Sequence, residues 1–110
     1  MTLEEKEMIK SEIQSLAKQC LSISEIATAK DDEIMLWIGN AILDLERQGI
    51  NVSSNIEDEC VRGAIIMYVK ANFGMTDIKE KENAQRTYIQ TCNNLSLSDK
   101  YKMKEVDIDA

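Results

Sequence analysis

The side chains most often used for catalysis or metal binding are sparse in this chain of 110 residues, which has no histidine and three cysteines. Cys20, Cys60 and Cys92 are far apart and form no CxxC pair, so neither a zinc site nor a disulfide framework is indicated. Without histidine, the usual partner of a serine or cysteine nucleophile is missing. We therefore predict free, buried thiols, no metal, no cofactor and no enzymatic activity.

Carboxylates are the remaining groups that could do chemistry, and they are concentrated in one third of the chain. Between Asp31 and Glu59 there are eight acids and one base, whereas the other residues include twelve of each. This region therefore carries the whole formal charge of -7. Six of its acids form two runs of three, which are Asp31, Asp32, Glu33, Glu57, Asp58 and Glu59.

The first run does not have the geometry of a catalytic acid pair, because its consecutive side chains point in different directions around a helix. Acids in the first turn of a helix complement its dipole and contribute about 0.3 to 1 kcal/mol each. They also create a negative surface, and a pI of about 4.6 opposes sequence-specific DNA binding. With no phosphate-binding loop or nucleophile elbow present, a binding or assembly module remains.

The composition predicts an all-α fold, a small bundle of about four main helices. Proline is absent, glycine accounts for 4 residues and aromatics for 5%, which is unfavourable for a β-sandwich or barrel. No apolar run approaches the roughly 20 residues that cross a bilayer, so we expect no membrane contact. The length favours one helical domain, residues 1–97, followed by a flexible charged tail, residues 98–110.

The most apolar stretch, residues 56–73, predicts a central helix around which the others pack. Ser54 and Glu57 have the spacing of a capping box at its start, and Gly74 is expected to end it in the left-handed conformation. Gly63 lies in the middle of the helix, where glycine costs about 1 kcal/mol relative to alanine. We interpret Gly63 as the point where another helix crosses closely.

A first helix is predicted over residues 3–21, with Thr2 and Glu5 as its capping box. The stretch that follows, residues 22–30, is either a short helical turn or a packed connection. In both cases we expect Ile23 and Ile26 to be buried.

The second helix is predicted to begin with Asp31 or Asp32 as N-cap and to end at Gly49. A fourth helix begins near Asp77, whose spacing to Glu80 also fits a capping box. The inward face of the second helix comprises Ile34, Trp37, Ile38, Ala41, Ile42 and Leu45.

Some apolar residues fall outside these core stripes and are candidates for contacts with another subunit or partner. Met35, Leu36 and Leu43 lie partly off the inward face of the second helix. Either that helix is buried on more than one side, or a second apolar face meets a neighbouring subunit. In the tail, the anchors would be Tyr101, Met103, Val106 and Ile108 if the segment orders on a partner.

Four phrases occur in order along the chain, namely DDE with IMLWIGNAILDLERQGI, then ECVRGAIIMYVKANFG, DIKEKENAQRTYIQ and LSLS. They belong to a resemblance that extends over roughly residues 3–98. Their order and their local sequences resemble those of the head-tail connector (adaptor) proteins of tailed bacteriophages, which are often labelled DNA packaging proteins.

This resemblance implies an all-helical structural subunit that assembles into a homo-oligomeric ring of about a dozen copies. The ring would dock under the portal protein after DNA packaging and offer a platform to a tail completion or stopper protein. Its location would be the virion neck, after assembly in the bacterial host cytoplasm. Double-stranded DNA would pass through the channel without sequence-specific binding, and the six acids of the two runs are candidates to line that channel and repel phosphates.

A second hypothesis is a small acidic phage regulator or antirepressor that binds a host protein. The two hypotheses differ in assembly, because a regulator stays a monomer or dimer whereas a connector forms rings alone or on its portal.

Overall fold

The computed structural model describes residues 3–24 and 26–102, except for the side chain of Lys6. Within these residues there is no β-strand, and the all-α prediction is confirmed. The elements are α1 (Leu3–Cys20), α2 (Asp31–Arg47), α3 (Glu59–Asn72) and α4 (Ile78–Ser96), with single turns of 3-10 helix at Ser53–Asn55 and Asp99–Tyr101.

Helix α3 is central, as the sequence predicts, and packs against each of the other three helices. Its side chains Val61, Ala64, Ile65 and Val69 are completely buried. Helices α1, α2 and α4 each add one apolar stripe, so the core is a single cluster that extends across the described part of the chain. Burial on several sides explains why α3 is apolar around most of its circumference.

The start of α3 differs from the predicted capping box. Ser54 lies in the 3-10 turn, and the helix begins at Glu59 with Asp58 as N-cap. One carboxylate oxygen of Asp58 accepts hydrogen bonds from the amides of Cys60 at 2.8 Å and Val61 at 3.4 Å. A charged acceptor that binds two first-turn amides is a stronger cap than a serine hydroxyl, so the pairing of Ser54 with Glu57 was wrong.

The predicted left-handed stop at Gly74 was also wrong, whereas Gly49, which was predicted only as the end of the second helix, is left-handed. Gly49 has a φ of 83° and follows α2, and it is the only described glycine with a positive φ. At the end of α3 the chain instead becomes extended at Phe73. The amide of Gly74 donates a hydrogen bond to a carboxylate oxygen of Glu33 at 2.8 Å, which fixes the path of the chain as it leaves α3.

The connection between α1 and α2 is organised by Lys18 and not by two buried isoleucines. Ile23 packs against the core, but Ile26 is 91% exposed, so its predicted burial was wrong. Lys18 is only 5% exposed, and its ammonium donates to the carbonyl of Ala27 at 2.8 Å. This polar anchor sets the path of the chain and leaves Ile26 outside. Thr2, half of the capping box predicted for α1, lies outside the described residues.

Candidate functional site

The two acidic runs lie near opposite ends of α3. The carboxylate of Glu33 binds the Gly74 amide just after the end of this helix, whereas Asp58 caps its start. Helix α3 has 14 residues, which corresponds to a length of about 21 Å. The negative charge that is concentrated in one third of the sequence is therefore divided into two separate clusters in the fold.

In the first run, Asp31 and Glu33 stabilise the domain. Asp31 begins α2 and forms an ion pair with the buried ammonium of Lys18. Lys30, and neither predicted aspartate, is the N-cap residue. The hydrogen bond from the Gly74 amide lowers the pKa of Glu33, whereas partial desolvation raises it. The Trp37 indole, which donates to Glu33 at 3.3 Å, lowers this pKa further. Glu33 thus joins the start of α2 to the turn between α3 and α4, while Asp32 is exposed.

In the second run, Asp58 holds the last described segment of the chain. Besides capping α3, its carboxylate accepts hydrogen bonds from the Lys100 ammonium at 2.9 Å and the Tyr101 hydroxyl at 3.0 Å. The hydrogen bond from Lys100 is the main reason why the pKa of Asp58 is lowered to about 2. Desolvation raises this pKa, and the hydrogen bond from the Tyr101 hydroxyl lowers it. We call Asp58, Lys100 and Tyr101 the C-terminal clasp. Glu57 and Glu59, on either side of Asp58, are exposed.

The backbone reinforces the clasp. The amide of Asn51 donates to the carbonyl of Tyr101 at 2.6 Å, and Lys102 forms an antiparallel bridge with Ile50. Tyr101, predicted as a partner contact, therefore packs against the core of its own domain. The folded chain continues past the predicted boundary at residue 97, at least to Lys102, whereas Met103 lies outside the described residues.

The apolar residues off the inward face of α2 divide into two groups. Met35 packs against the core. Leu36 and Leu43 are 58% and 53% exposed, and they lie two helical turns apart on one side of the helix. We call this pair the α2 ridge. Exposed leucines at helical spacing are typical of an interaction surface, because their burial against a partner is worth roughly 1.5 to 3 kcal/mol per side chain.

A groove of about 480 Å³ lies between α3 and α4. A Cβ atom built on Gly63 would meet no atom within 4 Å, so the predicted close helix crossing at Gly63 was wrong. The two helices leave the groove open there instead. Its sequence signal is the combination of a glycine in α3 with two threonines four residues apart in α4. The groove is lined by Cys60, Gly63, Met67, Thr87, Thr91, Asn94, Leu95 and Tyr101.

The three thiols are free, but they are not all buried. Cys92 is buried and Cys20 is half-buried, whereas Cys60 is exposed, which contradicts the prediction for Cys60. Because α3 begins at Glu59, Cys60 lies in its first turn at the open end of the groove.

A polar pair that the sequence did not reveal lies between α2 and α4. The hydroxyl of Tyr88 donates a hydrogen bond of 2.5 Å to a carboxylate oxygen of Asp44. Burial, followed by this bond, raises the pKa of Tyr88 far above its ordinary value, so the phenol stays protonated. The Tyr88 ring also packs edge-on against Tyr68, with centroids 5.2 Å apart. This arrangement positions α2, α3 and α4 relative to one another.

The described residues contain no group of three or more histidine, cysteine, aspartate or glutamate side chains placed to hold a metal ion. None of the helices in the described ranges is long and apolar enough to cross a membrane.

An all-α domain with an exposed apolar ridge and an open groove has the features of a binding or assembly module. The family model described as phage connector protein matches residues 13–102, from the middle of α1 to the end of the C-terminal clasp. The chain belongs to this phage connector protein family, which is structural in kind and whose members act with partners in phage assembly. No curated protein and no solved structure matched the chain.

Proposed function

We propose that the chain is the structural subunit of a ring-shaped head-tail connector. The ring docks under the portal protein after DNA packaging, joins the capsid to the tail and presents its other face to a tail completion or stopper protein. The observation that carries this proposal is the α2 ridge, Leu36 and Leu43, which is solvent-exposed in a member of the phage connector protein family.

A closed ring needs two different surfaces on each subunit, because head-to-tail contacts repeat until the rotation closes. The α2 ridge supplies one of them. Exposed apolar side chains on other elements supply candidates for the second surface, and these are Met8, Met75, Ile78 and Leu97. An interface of this kind buries the ridge in every copy and leaves the domain core unchanged.

The exposed acids suit the wall of a DNA channel. Asp31, Glu33 and Asp58 are occupied by contacts within the domain, so the candidates for the channel wall reduce to Asp32, Glu57 and Glu59. Their charge repels phosphates, which lets double-stranded DNA move through the ring without sequence-specific binding. In this proposal the protein is a component of the virion neck that assembles in the bacterial host cytoplasm.

The test is the mass of the assembled particle, measured by native mass spectrometry and negative-stain microscopy with and without the portal protein. We expect a ring of about a dozen copies for the unmodified chain. The double variant Leu36→Glu with Leu43→Glu should stay monomeric while its helical circular dichroism and melting temperature are unchanged, because both side chains are already exposed.

A matched control is Ile89→Glu, which introduces the same charge at a residue of similar exposure, 52%, on α4. If the ridge is the interface, this control forms rings. A chain that remains monomeric at all concentrations, with and without the portal protein, would refute the connector role. Rings formed equally well by the ridge variant would move the interface to another surface.

A further inference from the structure

We propose that the groove between α3 and α4 is the docking site for residues 103–110 of the same chain. The groove opens beside Tyr101, and residues 103–110 begin two positions later in the sequence. This inference concerns a contact within one subunit and does not depend on the ring.

The groove offers an apolar floor that its own helices do not fill. Cys60, Met67 and Leu95 contribute apolar side chains to this floor, and Gly63 contributes no side chain. No atom lies within 4 Å of the position that a Cβ on Gly63 would take. Apolar surface of this kind gains about 25 cal/mol per Å² when a second group removes it from water.

The C-terminal clasp delivers the next residues to this floor. The Tyr101 ring lines the groove while its hydroxyl is held by Asp58 at 3.0 Å. The backbone then passes Ile50, where Lys102 forms its bridge. An extended segment of residues 103–110 reaches about 26 Å, whereas the floor from Cys60 to Met67 is about 10 Å long. The segment is therefore long enough to turn back into the groove.

Tethering makes a weak intrinsic affinity sufficient. A short flexible connection gives an attached segment an effective concentration in the millimolar range. A contact with a dissociation constant near or below that range is therefore substantially occupied in every molecule. The docking does not depend on the concentration of the protein.

The sequence of the segment suits an apolar channel that is open to water on one side. In MKEVDIDA, Val106 and Ile108 are two residues apart, and Glu105 and Asp107 alternate with them. In an extended chain, alternate side chains point to opposite faces. One face is then apolar and fits the groove, while the other is acidic and stays in solvent.

Cys60 provides the test, because its exposed thiol lies at the end of the groove nearest the C-terminal clasp. The rate of its reaction with N-ethylmaleimide is measured in the full chain by mass spectrometry of peptides, so that Cys20 and Cys92 do not interfere. We expect the double variant Val106→Ser with Ile108→Ser to label Cys60 about tenfold faster than the unmodified chain, which corresponds to occupancy of about nine molecules in ten. The control Glu105→Ser with Asp107→Ser changes the acidic face only and should label like the unmodified chain.

Three outcomes would overturn the proposal. Equal rates in the unmodified chain and the Val106 and Ile108 variant would show that the segment does not cover Cys60. Faster labelling in the acidic-face control would mean that charge, and not apolar fit, holds the segment. Protection that grows with protein concentration would assign the groove to a second copy of the chain.

A second variant tests the groove from its other side. Gly63→Leu fills the floor, and because there is open space around Gly63 and leucine favours the helix, the domain should keep or raise its melting temperature. We expect the amide signals of residues 103–110 to relax as a freely moving segment in this variant and as part of the domain in the unmodified chain. Gly39→Leu is the control, since Gly39 is also helical with open space around it but lies on α2. Identical relaxation in the unmodified chain and the Gly63 variant would contradict the docking.

Discussion

The hydroxyl of Tyr101 donates to the same carboxylate of Asp58 that caps α3, so one side chain both starts the central helix and holds the end of the described chain. Lys100 adds an ion pair at 2.9 Å. The residues after α4 are thereby attached to the N-terminus of α3.

Replacing Asp58 should therefore affect two elements at once. We expect Asp58→Ala to lower the free energy of unfolding by about 1 to 2 kcal/mol, the usual cost of removing an N-cap. Asp58→Asn, which keeps an acceptor for the amides of α3, should lose less. Urea denaturation measures both, with the exposed neighbour Glu57→Gln as the control. Equal stability of Asp58→Ala and the control would mean that the cap and clasp contribute nothing.

Stability should also fall in acid, and Asp58 sets much of the range. Its pKa is lowered from 3.8 to about 2 in the folded chain, so the unfolded chain binds more protons between these values. The contribution of Asp58 is therefore complete above about pH 5 and is lost as the pH falls through about 2. The lowered pKa of Glu33 acts in the same direction. Chemical denaturation at a series of pH values should show a shallower acid loss for Asp58→Asn, and an identical slope would contradict the assignment.

The two glycines Gly63 and Gly49 should respond oppositely to alanine. Gly63 is helical with open space around it, so Gly63→Ala should raise the free energy of unfolding by about 0.5 to 1 kcal/mol. Gly49 has a φ of 83°, so Gly49→Ala should lower it by about 1 to 2 kcal/mol. Thermal unfolding of the two variants measures both changes in stability. A loss of stability for Gly63→Ala would contradict the open space around Gly63 and support a close helix crossing there.

The exposed acids give a prediction that follows from the proposed function. Asp32→Lys, Glu57→Lys and Glu59→Lys should all permit ring assembly, because these side chains are exposed. At least one should slow genome ejection, since a lysine in the channel attracts phosphates, and added salt should ease the defect by screening that attraction. Glu82→Lys, an exposed position on α4, serves as the control. Normal infection by all three variants would leave the acids with roles in solubility and helix dipoles only.

The positions of the helices could be predicted from the sequence because apolar spacing alone determines which face is buried. The same spacing placed Leu36 and Leu43 partly off the inward face of α2, but it left open whether these side chains are buried on a second side or exposed to a partner. The cap of α3 could not be predicted, because several residues before the helix are good N-caps. The choice of Asp58 depends on Lys100 and Tyr101, more than 40 residues later in the chain.

Ile26 and Gly63 show the same limitation in different forms. An isoleucine in a connection is expected to be buried, but a single buried lysine that binds a nearby carbonyl can direct the chain elsewhere. A glycine within a helix indicates either a close contact or an open space, and only the facing helix decides which. The groove and the C-terminal clasp therefore emerge from tertiary geometry that local patterns do not contain.

The buried ammonium of Lys18 has a consequence for how α1 can move. It joins the last turn of α1 to the Ala27 carbonyl and to Asp31 at the start of α2, and breaking the pair would leave a charge without compensation in the interior. A hinge between α1 and α2 is therefore energetically expensive. The first turns of α1 carry the exposed Leu3 and Met8, and among the described side chains Ile9 is the first that is buried. If α1 rearranges during assembly, it should detach from the core at these first turns. Amide hydrogen exchange along the helix would then show protection that rises from Ile9 towards Lys18.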